Sequence, residues 1–542
     1  MQNRLGIFLI ITILTAALMG GWLGGPLGAT PPSEADTDRL LKVFSEALAA
    51  IREHYVEPIP TEELVESAVR GMLRTLDPHS SFFSTSDYNR LQEEQRGRYY
   101  GLGISIRPES PGSGRVMVTE PPVPGTPAYK VGLRAGDVIS KIEGEPIDDW
   151  DLNEEVIPKL KGPKGTEVNI TVERPGEPEP LELTVVRDEI PMYSIKYFFR
   201  IGDDIGYIDI DRFSETTGKE LAEALEKLDE KSLKGFILDL RGNPGGALNQ
   251  ALAVSDRFLS NGQVIVVTKD RNGQGREFRT QQGSQYDYPM VVLIDENSAS
   301  ASEIVSGALQ DHDRALIVGE TSFGKALVQT IYPLEGNKGL ALTTGRYYTP
   351  SNRLIQRDYS SSFYDYFNSR QETTQRGTET HYTDSGRTVF AGGGITPDEK
   401  VGRGSSTRLI RVIERERLFA EFVDDLTKGE IQSDIRYQFS PEERLAFTPE
   451  EREQLIAQLA ITDETTRLFK TFLDSHQVDF TDQSFEESRR LIENKLKQKL
   501  FLVLLGPQES LKVSLEVDQQ VLRALELLPK ATALIQNNLV KQ

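Results

Sequence analysis

The sequence predicts an α/β protein whose centre alternates strand with helix and whose two ends are helical. Ile205 to Ile210 (IGYIDI) and Gly235 to Leu240 (GFILDL) are short apolar runs of strand type. Between them ETTGKELAEALEKL places Leu221, Leu225 and Leu228 on one helical face. A third apolar run, Met290 to Ile294, is cut by Asp295-Glu296-Asn297 before another helix-like segment, and a fourth, Ala315 to Val318, follows. Strands separated by helices of this length predict parallel pairing.

From the N-terminus onward, Arg4 precedes the uncharged apolar segment Leu5 to Leu23, and the small residues Gly24 to Ala29 offer a cleavage site. Residues 1–29 therefore read as a signal peptide or a membrane anchor. Either sends the rest of the chain across the membrane, with Arg4 left inside, so the expected location is the periplasm or the outer face of the cytoplasmic membrane. Residues 36–95 are expected to be helical, with Leu40, Leu41, Phe44, Leu48 and Ile51 at helical spacing. Residues 96–187 form a glycine-punctuated module, 188–403 the α/β core, and 404–542 an acidic helical extension. In the extension Ser440-Pro441-Glu442-Glu443, Thr448-Pro449-Glu450-Glu451 and Ser484-Phe485-Glu486-Glu487 each read as a helix start. Phe501 to Leu505 (FLVLL) reads as buried packing rather than membrane contact. The extension is assigned to assembly, to positioning of the core or to an adaptor, and a homo-oligomer is expected because helical tails of this kind pair.

Composition excludes several classes of function. The 542 residues carry a formal net charge of −21 and no cysteine. Without a basic block to neutralise phosphates, nucleic acid is not an expected partner. The chain has no thiol, no H-E-x-x-H and no G-x-x-x-x-G-K-[ST], which removes thiol catalysis, a zinc protease motif and an attached P-loop ATPase. No cofactor or metal is expected.

The richest stretch is PMVVLIDENSASASEIVSGALQDHDRALIVGETSFGKALVQ, residues 289–329. Its serines fall where a strand turns into a helix, and unpaired amides at a helix N-terminus would meet an oxyanion forming on an attacked carbonyl. The five histidines, His54, His79, His312, His381 and His476, lie in no triad motif. Lysine is the better base if burial lowers its pKa, and Lys325 lies among Ala315 to Val318, Phe323, Leu327 and Val328. The residues alone do not separate Ser298, Ser300 and Ser302. Gly245-Gly246, after the strand ending at Leu240, would let backbone approach a substrate carbonyl closely; a plain turn is the bland reading of the same pair. Ser322-Phe323-Gly324-Lys325 is also an S-x-x-K string, but the S-D-N and K-T-G elements that accompany that motif are absent.

Seven motifs occur in order: LDPHS (Leu76 to Ser80), YYGLGI (Tyr99 to Ile104), GLRAGDVI (Gly132 to Ile139), LDLRGNPGG (Leu238 to Gly246), SASASEI (Ser298 to Ile304), GETSFGKALVQ (Gly319 to Gln329) and GITPD (Gly394 to Asp398). Together they resemble the C-terminal processing peptidases, or tail-specific proteases, over most of residues 36–403. The resemblance implies a crotonase-like core and a Ser-Lys dyad, with Ser300 as nucleophile, Lys325 as general base and Gln329, one helical turn on, orienting the amine. It also implies an oxyanion hole built from the amides of Gly246 and Ala301. Two departures stand out: Ala326 follows the lysine where many relatives have glycine, and Asn297 stands where glycine is frequent. Asparagine tolerates positive φ, so the turn at Asn297 is expected to form.

By the same likeness residues 96–187 resemble a PDZ domain. Tyr100, Gly101, Leu102, Gly103 and Ile104 match its carboxylate loop, whose amides capture a terminal carboxylate while the next strand accepts a peptide. Asp149 to Lys161 is the expected groove helix, kinked by Pro158. The implied function is an ATP-independent serine endopeptidase acting on proteins with exposed, apolar C-terminal tails. The alternative is a catalytically silent peptide-binding scaffold of the cell envelope; a silent chain is expected to lose the serine or the lysine, and both are present.

Overall fold

In the computed structural model the described residues are 34–542, without 111, 124, 285, 361–362, 369–378, 405, 434–436, 440–446 and 542. The apolar segment Leu5 to Leu23 and the helix start at Ser440 lie outside them. Among the described residues no helix is long and apolar enough to cross a membrane.

The chain divides into two units, Met1–Leu76 and Asp77–Gln542. The first holds the helices Glu34–His54 and Thr61–Leu73. Its stripe at helical spacing is largely open to solvent, with Leu40, Leu41, Phe44 and Ile51 all exposed.

The second unit is built on a six-stranded sheet in the order Tyr197–Ile201, Ile205–Asp209, Gly235–Asp239, Met290–Ile294, Leu316–Gly319 and Glu399–Lys400. The first pair is antiparallel and all the rest are parallel. Strand side chains alternate between faces. Ile208, Leu238, Val292 and Ile317 point to one layer, packed with Leu221, Leu225, Val254 and Val305 from the helices Thr217–Lys227, Leu248–Phe258 and Ala301–Asp311. Tyr207, Ile237, Val291, Leu293 and Val318 point the other way, onto Val521, Ala524, Leu527, Leu528 and Ala531. Those five belong to the last helix, Gln519–Lys541. The acidic extension therefore supplies one of the two layers of the core. Each large apolar side chain buried there contributes about 1.5–3 kcal/mol. The rest of the extension has a core of its own, in which Phe419, Phe422, Phe469 and Phe472 stack and Phe501, Leu504 and Leu505 are buried. Leu502 and Val503 of the same run are exposed.

A second sheet joins Ser81–Phe83, Val264–Asp270, Gly275–Arg279 and the long hairpin Leu327–Leu334/Lys338–Tyr348. The third sheet runs in the order Ile106–Pro108, Val116–Val118, Val138–Ile142, Glu167–Glu173, Leu181–Val186. Ile106–Pro108 is its edge, bonded on one side only, to Val116–Val118.

Candidate active site

Three loops leave the carboxyl ends of three adjacent parallel strands, the position where open α/β sheets hold their ligands. The first follows Asp239 and carries Gly245 and Gly246; the second follows Ile294 and carries Ser300; the third follows Gly319 and carries Lys325. Side-chain bonds tie them together. Asp295 Oδ1 accepts from the amides of Gly242 (2.9 Å), Asn297 (3.0 Å) and Ser298 (3.1 Å). Asn243 O accepts from Ala299 N and from Ser302 Oγ, both at 3.0 Å.

The three serines of the cluster have different surroundings. Ser298 is fully buried and donates to Leu240 O at 2.8 Å, and Ser302 is fully buried on Asn243 O. Ser300 is partly exposed at the N-cap of Ala301–Asp311, with φ 53° and ψ −110°. That backbone conformation is rare for a residue with a Cβ and costs of order 1–3 kcal/mol. Asn297, where the sequence predicts the positive φ, does not adopt one, and Ser300 does. The turn is finished at the serine itself because the Asp295 carboxylate already holds the Asn297 amide.

The glycine pair fits closely against this turn. Gly245 has φ 98°, and a Cβ on it would lie 2.6 Å from Ala299 O and 2.8 Å from Ser300 Cβ. Gly246 has φ 145°, and a Cβ there would come 2.1 Å from Phe213 O. Phe213 donates to Gly245 O (3.0 Å) and accepts from Ala247 N (2.9 Å). Since successive peptide groups alternate sides, the N–H of Gly246 points away from Phe213. Ala301 opens its helix, where an amide has no intrahelical acceptor.

Glu303, one turn into the helix and fully buried, joins the second loop to the third. Its Oε2 accepts from Ser300 N (2.8 Å) and Lys325 N (2.9 Å), and its Oε1 from Gly324 N (2.6 Å) and Ser322 Oγ (2.5 Å). Burial pushes its pKa up to about 7 against the pull of these donors. The Tyr347 hydroxyl lies against the carbonyl oxygens of both Ser300 and Lys325. The loops that carry Ser300 and Lys325 therefore share one carboxylate and one phenol.

The amine of Lys325 is partly buried and donates to Gln329 Oε1 at 3.0 Å. Burial lowers its pKa, partly offset by the negative charges of Glu303 and Asp77. Gln329 is not one helical turn away: Lys325 precedes, and Gln329 belongs to, the strand Leu327–Leu334, with a register shift between Val328 and Gln329. Both side chains still reach one side of the chain. The other end of the Gln329 amide donates to the carbonyl of His79. That carbonyl can only accept, so it fixes which end of the amide is left for the lysine. His79 is held in turn: Asp77 Oδ1 accepts from the amides of His79 and Ser80 (both 2.8 Å), and His79 Nε2 meets Tyr366 Oη at 2.7 Å. Phe323, Tyr366 and Phe367 surround the imidazole edge-on. Burial, then the charge of Lys325, pushes the His79 pKa down to about 4.

Ser322, the serine of the S-x-x-K string, is buried, donating to Glu303 and accepting from Ile395 N (2.6 Å) of the GITPD motif. Its loop is extended rather than helical, so Ser322 does not stand one turn before the lysine. Ala326 is fully buried, with its amide on Gln356 Oε1 at 2.8 Å and no positive φ. The sequence assigns no catalytic or positioning role to Glu303, His79, Asp77, Tyr347 or Asp295. Asp77 and His79 lie in the motif LDPHS, and Ser300-x-x-Glu303 is a capping-box string.

In the module of residues 96–187, Tyr100 and Gly101 lie in a strand, Arg98–Gly101, paired with Asp188–Pro191, rather than in a free loop. The loop proper is 102–105. Leu102 packs into the module's core and its carbonyl accepts from Ala128 N at 2.9 Å. Gly103 has φ 77° and its amide faces the phenol of Tyr99. Ile104 leads towards the edge strand Ile106–Pro108. The groove helix is a π-turn, Leu152–Val156, capped by Asp151, followed by a short α-helix, Ile157–Leu160. Pro158 has no N–H for the carbonyl four residues back, and the wider turn before it absorbs the loss.

Comparison with known proteins agrees with these features. The model of Peptidase family S41 matches residues 204–360, that of the PDZ domain residues 118–174, and that of the activating protease CtpB N-terminal domain residues 28–86. A carboxy-terminal-processing protease of Bartonella bacilliformis is 41% identical over 332 residues, 60% of this chain and 75% of that one. The carboxy-terminal processing protease CtpB of Bacillus subtilis is 33% identical over 332 residues, 61% of this chain and 68% of that one. Among solved structures, a photosystem II D1 C-terminal processing protease is 26% identical, covering 67% of this chain and 92% of its own, at a TM-score of 0.34. With strand-end loops carrying a strained serine, a partly buried lysine and paired glycines beside a PDZ module, and with relatives of this identity and coverage, the chain belongs to the carboxy-terminal processing proteases of peptidase family S41.

Proposed function

We propose that the protein is an ATP-independent endopeptidase with a Ser300–Lys325 dyad that recognises apolar C-terminal tails through its PDZ module. Ser300 Oγ attacks the scissile carbonyl and its proton passes to the neutral amine of Lys325. The C–N bond then breaks, Lys325 returns the proton to the leaving amine, and water releases the acyl group from Ser300 by the same route. The amides of Gly246 and Ala301 stabilise the oxyanion. The observation that carries this reading is the chain Lys325 Nζ to Gln329 Oε1, Gln329 Nε2 to His79 O. A neutral amine donating to Gln329 keeps its lone pair for another partner, and a partly buried amine with lowered pKa is neutral in a larger fraction of molecules.

At the module, the peptide adds as a strand along Ile106–Pro108 and its carboxylate is taken by the loop 102–105. Residues 1–29 place the chain outside the cytoplasmic membrane, as a cleaved leader or an anchor. The C-terminal helices serve a homo-oligomer or an adaptor, and sedimentation of the full chain that shows only monomer would remove the homo-oligomer.

The test is degradation of an unstructured reporter with an apolar C-terminus, free or amidated, without nucleotide, by the wild type, Ser300→Ala and Lys325→Ala. Loss in both variants and weakening by amidation is the expected result. Cleavage that survives in Ser300→Ala moves the nucleophile elsewhere, and cleavage blind to amidation removes the tail-reading role.

A further inference from the structure

Between the sheet and the glycine pair stands a buried guanidinium that no step above uses. Arg241 follows the strand Gly235–Asp239 by two residues. Its Nε donates to both oxygens of Asp239 (2.9 and 3.0 Å) and its Nη2 to Asp239 Oδ2 (2.6 Å). Its Nη1 donates to Asp518 Oδ2 (2.7 Å) and to Gln520 Oε1 (2.8 Å). All three nitrogens are engaged, and the side chains of Arg241 and Asp239 are 15% and 5% exposed. Asp239 also accepts from the Tyr207 hydroxyl at 2.8 Å.

Asp518 and Gln520 stand at the start of Gln519–Lys541. Asp518 Oδ1 accepts from the amides of Gln520 (2.9 Å) and Val521 (3.1 Å), and Gln520 Nε2 donates to Val401 O (2.7 Å). Gln520 is fully buried. Beyond Arg241 the turn is short and stiff: Gly242 N is on Asp295, Asn243 Nδ2 on Ile210 O (2.7 Å), and Gly245 N on Asn243 Oδ1 (2.8 Å). A shift of the guanidinium has little slack to absorb it before Gly246.

We propose that Asp518 and Gln520 are positioning residues for the oxyanion turn, acting through Arg241, so that the C-terminal extension completes the catalytic site. This rests on Gly246 being an oxyanion donor. A bond that sets the place of such a donor acts on the transition state and hardly on bound substrate, so its loss lowers kcat and leaves KM.

The experiment measures kcat, KM and Tm of the full chain for the wild type, Asp518→Asn, Asp518→Glu, Arg523→Ala and Ser300→Ala. Arg523 pairs with Glu399 (2.8 Å) from the same helix but touches nothing in the turn, which makes it the control for docking alone. Removing an oxyanion donor outright costs roughly 10²–10³ in kcat, and displacing one costs less. Asp518→Asn is expected to lower kcat about tenfold at unchanged KM, Asp518→Glu to recover most of it, and Arg523→Ala to keep wild-type kcat. The proposal is overturned if Asp518→Asn keeps wild-type kcat, if KM rises in step with the loss, or if Arg523→Ala loses as much. An inactive Ser300→Ala beside a fully active Asp518→Asn defeats this proposal alone. An active Ser300→Ala defeats the site reading and this proposal with it.

Discussion

The two halves of the candidate site are built on different principles. The nucleophile half, Gly245-Gly246 and Ser300, sits at the ends of parallel strands whose residues are buried throughout, and its helix, Ala301–Asp311, is buried at every position. The base half, Lys325 and Gln329, sits between a loop and the first residues of a hairpin with a shifted register. Regular structure aims the serine. The lysine is aimed by a chain of hydrogen bonds: its amide donates to Glu303, its amine to Gln329, and Gln329 in turn donates to the His79 carbonyl. One half is specified by packing and the other by hydrogen-bond satisfaction, so they should fail differently under mutation.

The sharpest break is Ser300→Ala against Lys325→Ala. Each is expected to reduce turnover by at least about 10³, because groups acting as a unit are not additive, and the double variant should be no worse. A double variant markedly slower than either single would separate the two groups. Next comes Glu303→Gln, which puts an NH2 group where four donors converge. It should lower both activity, by about 10², and stability, by about 3 kcal/mol, measured by denaturant unfolding. Loss of activity at unchanged stability would show that only the base half depends on it.

Gln329→Glu affects the base half alone. A carboxylate beside the amine raises the Lys325 pKa, and the base must be neutral, so the rising limb of the pH–rate profile should move up by about one unit and the rate at pH 7 fall about tenfold. An unmoved limb would detach Lys325 from that titration. The smallest expected effect lies in the sheet of the nucleophile half. Burial, followed by the charges of Asp239 and Asp211, pushes the Asp209 pKa up to about 7. A folded-state pKa above the unfolded one means stability is greatest in acid and falls as pH rises through that value. Asp209→Asn should remove that fall, giving a gain of about 1–2 kcal/mol at pH 8 and none at pH 4. A pH-independent difference between the two proteins would contradict it.

The same division explains what the sequence disclosed. The four apolar runs and the helix between them place the strand ends, because periodicity survives in one dimension, and the motifs at those ends mark Ser300, Gly246 and Lys325. Choosing Ser300 among its neighbours required resemblance; in the structure, Ser298 and Ser302 are the two consumed by backbone carbonyls. Of the partners of Lys325, Gln329 was marked by the resemblance and His79 lies in the motif LDPHS, but the link through the His79 backbone carbonyl was not legible. His79 acts through a backbone carbonyl, which any residue possesses, and Gln329 reaches the lysine in an extended segment where helical spacing was assumed. Two local readings also shifted for local reasons: Asp295 took the Asn297 amide and left positive φ to Ser300, and Pro158 was met by a π-turn. The packing of Gln519–Lys541 on the central sheet was not legible either, since contact between residues as far apart as Tyr207 and Val521 leaves no local trace.

The burial of Ala301–Asp311 along its whole length has a consequence for timing. A surface helix could hold the Ser300 turn while the rest of the chain was still assembling. This one is enclosed only when the sheet and the helices around it are all in place. The strained φ of Ser300 has no support before then. A chain folded only in part would carry Ser300 and Lys325 without the turn geometry that the complete core imposes.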